Sequence, residues 1–500
     1  MLNKLKKALV GYSDGVPSQP SDTTYIVGPS SETDLRTGAS CSELAASGTS
    51  PKIPSQMVYR RPHFLDLNAE EVQASADHLS RPIILPRNVS KLPQHSGYAE
   101  AVSAGKTDLN EDQARAEIIY LDRTDADLER NGTVLSDELQ EVDAMESRRL
   151  SATYFAIFDG HAGTGAALLA ANVLHTIFKE HLQSVLDLIL ARKALELDTI
   201  LDDQNNLQEH ISFLNKRTAD FSLPSTQMDK TDEISSDDLV TGALEKSFYE
   251  MDSVIYRERK VYQGGCAAIV AVFFMGKLYV ANAGDCRAVI CKSGKPMAAS
   301  VDFTPESERK RIQLLAHLQP SLLHNEFTHL EFAKRPIRKD IGKKIAYRDG
   351  WMTGWSVKTV VEDDLKFPVI YGEGKRAKLL ATIGVTRGFG DHDLRVYDSS
   401  IFIKPFLTPI PQVQVFDVND SSLCEYDVLV IGSDGLWDVT SNERAASIVH
   451  ATLLTLESDN PKKYSLAAQD LLLNSRGSEE GRWNSVDDIS VFVIPLQSPN

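Results

Sequence analysis

Cysteine is scarce and never paired at metal-finger spacing. The five cysteines (Cys41, Cys266, Cys286, Cys291 and Cys424) form no C-x-x-C motif and are odd in number, a pattern that indicates neither a zinc site nor a disulfide framework and suits reduced thiols in the cytosol. Long apolar runs are missing too. The longest, Cys266–Met275 in "CAAIVAVFFM", is half of what a bilayer requires and is followed by Gly276-Lys277, so it reads as one arm of a buried β-hairpin whose second arm is "LYVANAG". Positive charge is in deficit: 53 Lys and Arg against 70 Asp and Glu leave a net charge of -17 and a pI near 5.2. This argues against nucleic acid as a partner, because that role needs a basic face to displace counterions.

What is present is enough apolar material for a substantial core, 42% of 500 residues, in one large domain with insertions or in more than one domain. The first residues differ in kind. Leu2, Leu5 and Leu9 fall on one helical face with Lys4, Lys6 and Lys7 away from its centre, which predicts an amphipathic helix over 1–11 suited to peripheral contact with an anionic membrane. Met1-Leu2 offers no glycine for myristoylation. From Ser13 to about Ser55 the chain is rich in Ser, Thr, Pro and Gly, a disordered composition. The division expected is a tail over 1–57 and a folded domain over 58–500. Two polar stretches, about 123–150 and 196–238, read as surface insertions that are partly helical at most.

Apolar residues recur at helical spacing from Leu168 to Leu190, and a second helix is predicted from Leu239 to about Arg259. Strands alternate with turns through "AAIVAVFF", "KLYVANAG", "RAVICKSG", "DVLVIGSDG" and "ISVFVIP". Hairpins with amphipathic helices indicate an α+β fold of mostly antiparallel sheets.

Chemistry gathers where those apolar segments end. "TYFAIFDGHAG" runs from Tyr154 to Phe158 and then places Asp159, Gly160 and His161 in succession. Taken alone, Asp-Gly is an ordinary turn dipeptide. However, "LYVANAGD" ends at Asp285, "VLVIGSDGLWD" carries Asp434 and Asp438, "VDDISVFVI" begins with Asp487-Asp488, and "NED" supplies Glu111 and Asp112. Carboxylates that converge at a sheet edge repel one another unless cations neutralise them. Oxygen donors without cysteine pairs favour Mg²⁺ or Mn²⁺, and such sites most often hydrolyse phosphate esters.

Five motifs in order, "FAIFDGHAG", "ANAGDCRAVI", "ATIGVTRGFGD", "GSDGLWDV" and "VDDISVFVI", resemble the protein phosphatase 2C (PPM) family of metal-dependent Ser/Thr phosphatases over about Gly97 to Pro495. The segments "RPIILP", "NEFTHLEF", "DLKFPVIYGEGK" and "LAAQDLL" look like the subgroup lettered H, J and M. The resemblance implies a four-layer αββα sandwich of two antiparallel sheets flanked by helices, with two Mg²⁺ or Mn²⁺ ions in a cleft at one edge. By resemblance Asp159 bridges both metals, the Gly160 carbonyl, Asp434 and Asp487 complete their direct ligands, and Glu111 and Asp112 hold metal-bound water. Asp285 and Asp438, with Asp434, match a weaker third metal position. His161 matches the acid that protonates the departing Ser or Thr oxygen, after in-line attack of a metal-bridging hydroxide. The implied substrates are phosphoproteins, with phosphorylated Rab-type GTPases as the candidate class.

The sequence departs from the family at four places. Lys106 stands where an Arg usually grips the phosphate, which keeps the charge but loses the bidentate fork. Ala267 stands for Thr, Cys286 for Ser and Asp488 for Asn. Loss of the Arg is the argument for a rival reading, a pseudophosphatase or phosphoprotein-binding module. A two-metal nuclease fits the carboxylates but not the acidic charge. Finally, residues 304–378 enlarge the connection that carries a flap beside the cleft, and "AKRPIRKDIGKK" concentrates Lys334, Arg335, Arg338, Lys339, Lys343 and Lys344 there, which predicts partner recognition.

Overall fold

The computed structural model describes residues 57–102, 108–123, 149–213, 234–475 and 487–497, with side chains of the long helix as far as residue 193. Two units are distinguished: Met1–Lys52 with Tyr397–Ser399, of which only the latter three residues are described, and Ile53–Val396 with Ser400–Asn500, which carries every element below. The amphipathic segment 1–11, Lys106 and most of the two polar stretches lie outside the described residues.

Two antiparallel sheets are built from β1 (Ile83–Ile84), β2 (Gly97–Ala101), β3 (Gln113–Asp122), β4 (Arg149–His161), β5 (Gly265–Phe274), β6 (Lys277–Ala283), β7 (Arg287–Lys292), β8 (Lys295–Ala298), β9 (Gln412–Asp417), β10 (Val428–Gly432) and β11 (Ile489–Pro495). One sheet has the order β1-β2-β11-β10-β7-β8 and the other β9-β6-β5-β4-β3, with the short strand Phe389–Gly390 added beside β5. The longer helices are α1 (Gly165–Phe213), α2 (Ser236–Glu258), α3 (Arg309–Leu318), α4 (Asn442–Thr455) and α5 (Lys463–Ser475).

The two-residue period of a strand sorts the side chains into layers. On β4, Phe155 and Ile157 enter the core between the sheets with Tyr98, Leu429, Ile431 and Phe492, whereas Tyr154, Ala156 and Phe158 face α1 and α2. On β10, Leu429 and Ile431 point into that shared core while Val428 and Val430 meet α4 and α5. The architecture is therefore helix, sheet, sheet, helix. Burial on both faces is the reason "AAIVAVFF" shows no polar alternation. The turn after β5 holds Met275 and Gly276 at φ of 50° and 77°, the pair of left-handed residues that a two-residue hairpin with right-twisted strands requires.

The first helix runs further than its apolar spacing. Among the described side chains its buried residues extend from Ala166 to Ile189, and the backbone stays helical to Phe213, into the stretch expected to be partly helical at most. Ser235 starts α2 with a reciprocal capping box to Asp238, which satisfies two otherwise unpaired donors. Among the described residues no helix is long and apolar enough to cross a membrane.

Residues 304–378 hold α3, a three-stranded sheet of Glu331–Phe332, Lys344–Arg348 and Ser356–Thr359, and two short strand pairs. Their apolar residues Ile312, Ala316, Phe327 and Val369 pack with Val385, Ile403 and Phe406 from further along the chain. The insertion thus shares a small core, separate from the three main ones, with the residues that follow it.

Candidate active site

Asp159, Gly160 and His161 are the last residues of β4, opposite Ala267, Cys266 and Gly265 of β5. A Cβ on Gly160 would lie 2.4 Å from the Glu111 carbonyl oxygen, so its absence lets the 110–112 segment close on the strand end. That segment is tightly held. The Glu111 amide donates to Asp488 Oδ2 (2.9 Å), Glu111 Oε1 accepts from the Gly163 amide (2.6 Å), and Asp112 Oδ2 accepts from Ser433 Oγ (2.8 Å).

The opposite sheet supplies the other side. β10 leads through Ser433 into the one-turn helix Asp434–Trp437, and the Asp434 amide donates to Asp159 Oδ2 at 3.2 Å. A Cβ on Gly435 would meet the Asp488 carbonyl at 2.1 Å, which brings the residues before β11 against this turn. Carboxylate oxygens of Asp159, Asp285 and Asp434 all lie within 4.8 Å of one another. Asp487 adjoins them closely enough for its charge to act on Asp159 and Asp434.

Burial, then the neighbouring Asp434, Asp112, Asp285 and Asp487 charges, pushes Asp159 well above the usual carboxylate range. Asp434 rises for the same reasons, burial first and then Asp285 and Asp487. Burial and Asp488 raise Asp112 to about 8, although Ser433 opposes them, and burial raises Asp285 to about 6. Four acids that cannot all ionise together, all with oxygen donors and still partly open to solvent at Asp159, Asp285 and Asp434, fit a centre for hard divalent cations.

Asp438 is exposed at the rim, where its charge still acts on Asp434 and Asp285. Its Oδ1 accepts from Lys375 Nζ at 2.7 Å, which ties the 304–378 insertion to the cleft. His161 sits on the other side, with Nε2 2.7 Å from Asp391 Oδ2.

Comparison with known proteins gives the family. The protein phosphatase 2C family profile matches residues 202–316 and 370–476. Protein phosphatase 1H of Xenopus tropicalis is 42% identical over all of this chain and 99% of its own length. The chain belongs to the protein phosphatase 2C family. It is similar as well to human protein phosphatase 1H (41% identical, 99% of each chain) and to rat protein phosphatase 1J (39%, 100% of this chain and 99% of the relative). The solved serine-threonine phosphatase 2C from Toxoplasma gondii aligns with a TM-score of 0.39 at 15% identity, covering 83% of this chain and 98% of that one. As a family member this protein is a Ser/Thr protein phosphatase dependent on divalent metal.

Four residues of this phosphatase 2C chain escaped the sequence reading. Asp391 was quoted within "ATIGVTRGFGD" without a role. Asp252 of α2 accepts from the Gly390 amide (2.9 Å) and Lys404 Nζ (2.7 Å) and lies 3.1 Å from His392 Nε2, so it clamps the loop on both sides of Asp391. Arg61 is buried, paired with Glu100 at 2.7 Å, and donates to the Asp112 carbonyl at 2.6 Å, which anchors the acidic segment from below. Lys375 ends the segment "DLKFPVIYGEGK", where nothing in the sequence points to Asp438. The only available signal was the polar character of Arg61 in "YRRPHF" beside large apolar residues.

Proposed function

We propose that the chain removes phosphate from phosphoserine and phosphothreonine with two Mg²⁺ or Mn²⁺ ions held by Asp159, the Gly160 carbonyl, Asp434 and Asp487. In this reading Glu111 and Asp112 order water, and Asp285 and Asp438 serve a weaker third position. The observation that carries it is the convergence of Asp159, Asp285 and Asp434 within 4.8 Å beside a His161–Asp391 pair. Two bound cations supply an activated water and neutralise the phosphoryl oxygens. Burial disfavours a charged His161, but the Asp391 hydrogen bond and charge outweigh it and hold the imidazole above its ordinary range. With Nε2–H committed to Asp391, the second imidazolium proton sits on Nδ1 and passes to the departing Ser or Thr oxygen. Asp252 and Arg61 touch no reacting atom; they keep Asp391 and the 110–112 segment in place.

Phosphorylated Rab-type GTPases are the substrate class we propose, on the resemblance to the H, J and M subgroup, with Lys106 gripping the phosphate and residues 1–11 giving peripheral membrane contact to a cytoplasmic enzyme. Deleting 1–11 then weakens sedimentation with anionic liposomes and spares soluble-substrate turnover; unchanged sedimentation removes the membrane role.

The purified protein is expected to hydrolyse an aryl phosphate only with added Mn²⁺ or Mg²⁺. Turnover that survives EDTA excludes this chemistry, and cation binding without turnover assigns the pseudophosphatase reading instead. Asp159→Asn is expected to abolish turnover and the cation-induced rise in Tm while leaving the fold intact.

A further inference from the structure

A second group of metal-type ligands lies inside the insertion, apart from the carboxylate cluster. His317 is in the last turn of α3, His329 follows the strand Phe327–Thr328, and Asp349 follows Lys344–Arg348. Three separate segments thus bring one donor atom each to a common point. His317 Nδ1 is 3.3 Å from His329 Nε2, and His329 Nε2 is 3.4 Å from Asp349 Oδ2. The three donor atoms all lie within 4.8 Å of one another.

We propose that His317, His329 and Asp349 bind a zinc ion that clips the insertion together. Hydrogen bonding alone accounts poorly for the arrangement. An imidazole Nε2 carries one proton or one lone pair, so it directs a single bond at one partner, yet His329 Nε2 has two partners at nearly equal separation. Both separations are also longer than the usual 2.7–3.2 Å of an N–H hydrogen bond. They match instead the edge of a tetrahedron. Ligand atoms about 2.0–2.1 Å from a zinc ion stand roughly 3.3–3.4 Å from each other, against about 2.9 Å at right angles in an octahedron.

The donor chemistry agrees. Two imidazoles and a carboxylate select zinc and its neighbours in the transition series, whereas Mg²⁺ takes oxygen, so this position and the oxygen-only cleft accept different ions. The ligands are held ready by packing. Asp349 is buried, its Oδ1 accepts from the Gly350 amide at 2.7 Å, and Oδ2 is left to face His329. Gly350 lies so close to α3 that a Cβ there would meet the Leu314 amide nitrogen at 2.8 Å, which fixes the Asp349 turn against the helix bearing His317. The charged groups that face His329 are Asp349, His317 and Lys358. Lys358 is itself neutralised by Asp364 at 2.7 Å. His317 is exposed, which leaves the fourth tetrahedral position to water.

The test uses the full-length protein, stripped with a chelator and then supplied with excess Mg²⁺ to fill oxygen-only positions. Titration with Co²⁺ is expected to give the intense visible absorption of a tetrahedral ion, saturating at one equivalent and abolished by one equivalent of Zn²⁺. His317→Ala and His329→Ala should each remove the band and weaken Zn²⁺ binding, measured against a chromophoric chelator, by roughly 100-fold or more, since even supporting contacts are worth 10–100-fold. His317 is on the surface, so its variant keeps the fold, as circular dichroism will register. Absence of the band, or a band that survives in the folded His317→Ala protein, overturns the assignment.

Discussion

His161 and Asp391 meet at the end of β4 with Nε2 and Oδ2 2.7 Å apart, in space that only a glycine leaves open. Residue 265 lies directly opposite His161 on β5, and a Cβ there would fall 2.3 Å from Asp391 Oδ2 and 2.6 Å from His161 Nε2. The His161–Asp391 pair is therefore set by three residues from three parts of the chain.

Replacing Asp391 with Asn removes the charge that raises the basicity of His161 but retains a hydrogen-bonding partner. The expected result is a fall in kcat of about 10- to 100-fold on an alkyl phosphate, below the full worth of a general acid, and a much smaller fall on an aryl phosphate whose leaving group departs without help. Equal losses on both would remove His161 from the proton transfer.

Gly265→Ala places a methyl group inside that pair. One of the two side chains must move, so alkyl phosphate turnover should drop at least as far as in Asp391→Asn. The stability loss should be about 1–3 kcal/mol, the ordinary effect of overpacking. Kinetics on both ester types and a denaturant titration separate the two effects.

Asp252 gives a pH dependence away from the metal ligands. Burial alone would raise its carboxyl, but His392 and Lys404 outweigh burial and hold it below the usual range. A depressed folded-state value means stability that is present above the unfolded carboxylate range, near pH 4, and lost as pH falls through the folded value. Asp252→Asn should thus cost about 3 kcal/mol at pH 7, where it leaves the half-buried Lys404 without its charged partner. The gap from wild type should close steadily below about pH 4, as urea titrations across pH will measure.

Arg338 and Lys339 stand on the exposed side of the insertion, Arg338 reaching only Glu362 at 3.4 Å between two well-exposed side chains. Reversing both charges should leave aryl phosphate hydrolysis nearly unchanged and lower kcat/KM on the physiological phosphoprotein, more strongly at low salt. A parallel loss on both substrates would make this loop a support of the cleft and not a selector of partners.

Local pattern carried much of this protein. The unbroken apolar run of β5, the turn at Met275-Gly276, and the arrest of "YFAIF" at Asp159 are dictated by neighbours in the chain, because strand period, turn conformation and the solvation of a strand end are local properties. The five motifs then allowed Asp159, Asp434 and Asp487 to be named together. Apolar spacing marked α1 from Leu168 to Leu190, and the helix continues to Phe213 into the stretch expected to be partly helical at most. It had no access to Asp391, which lies 230 positions from His161, or to Asp252 and Arg61, whose charges look like any other polar residue until burial leaves each a single set of partners. The same holds for His317, His329 and Asp349, three unremarkable side chains in the sequence. Only folding decides which distant groups share one low-dielectric space, and it is that proximity, not residue type, that gives them their chemistry.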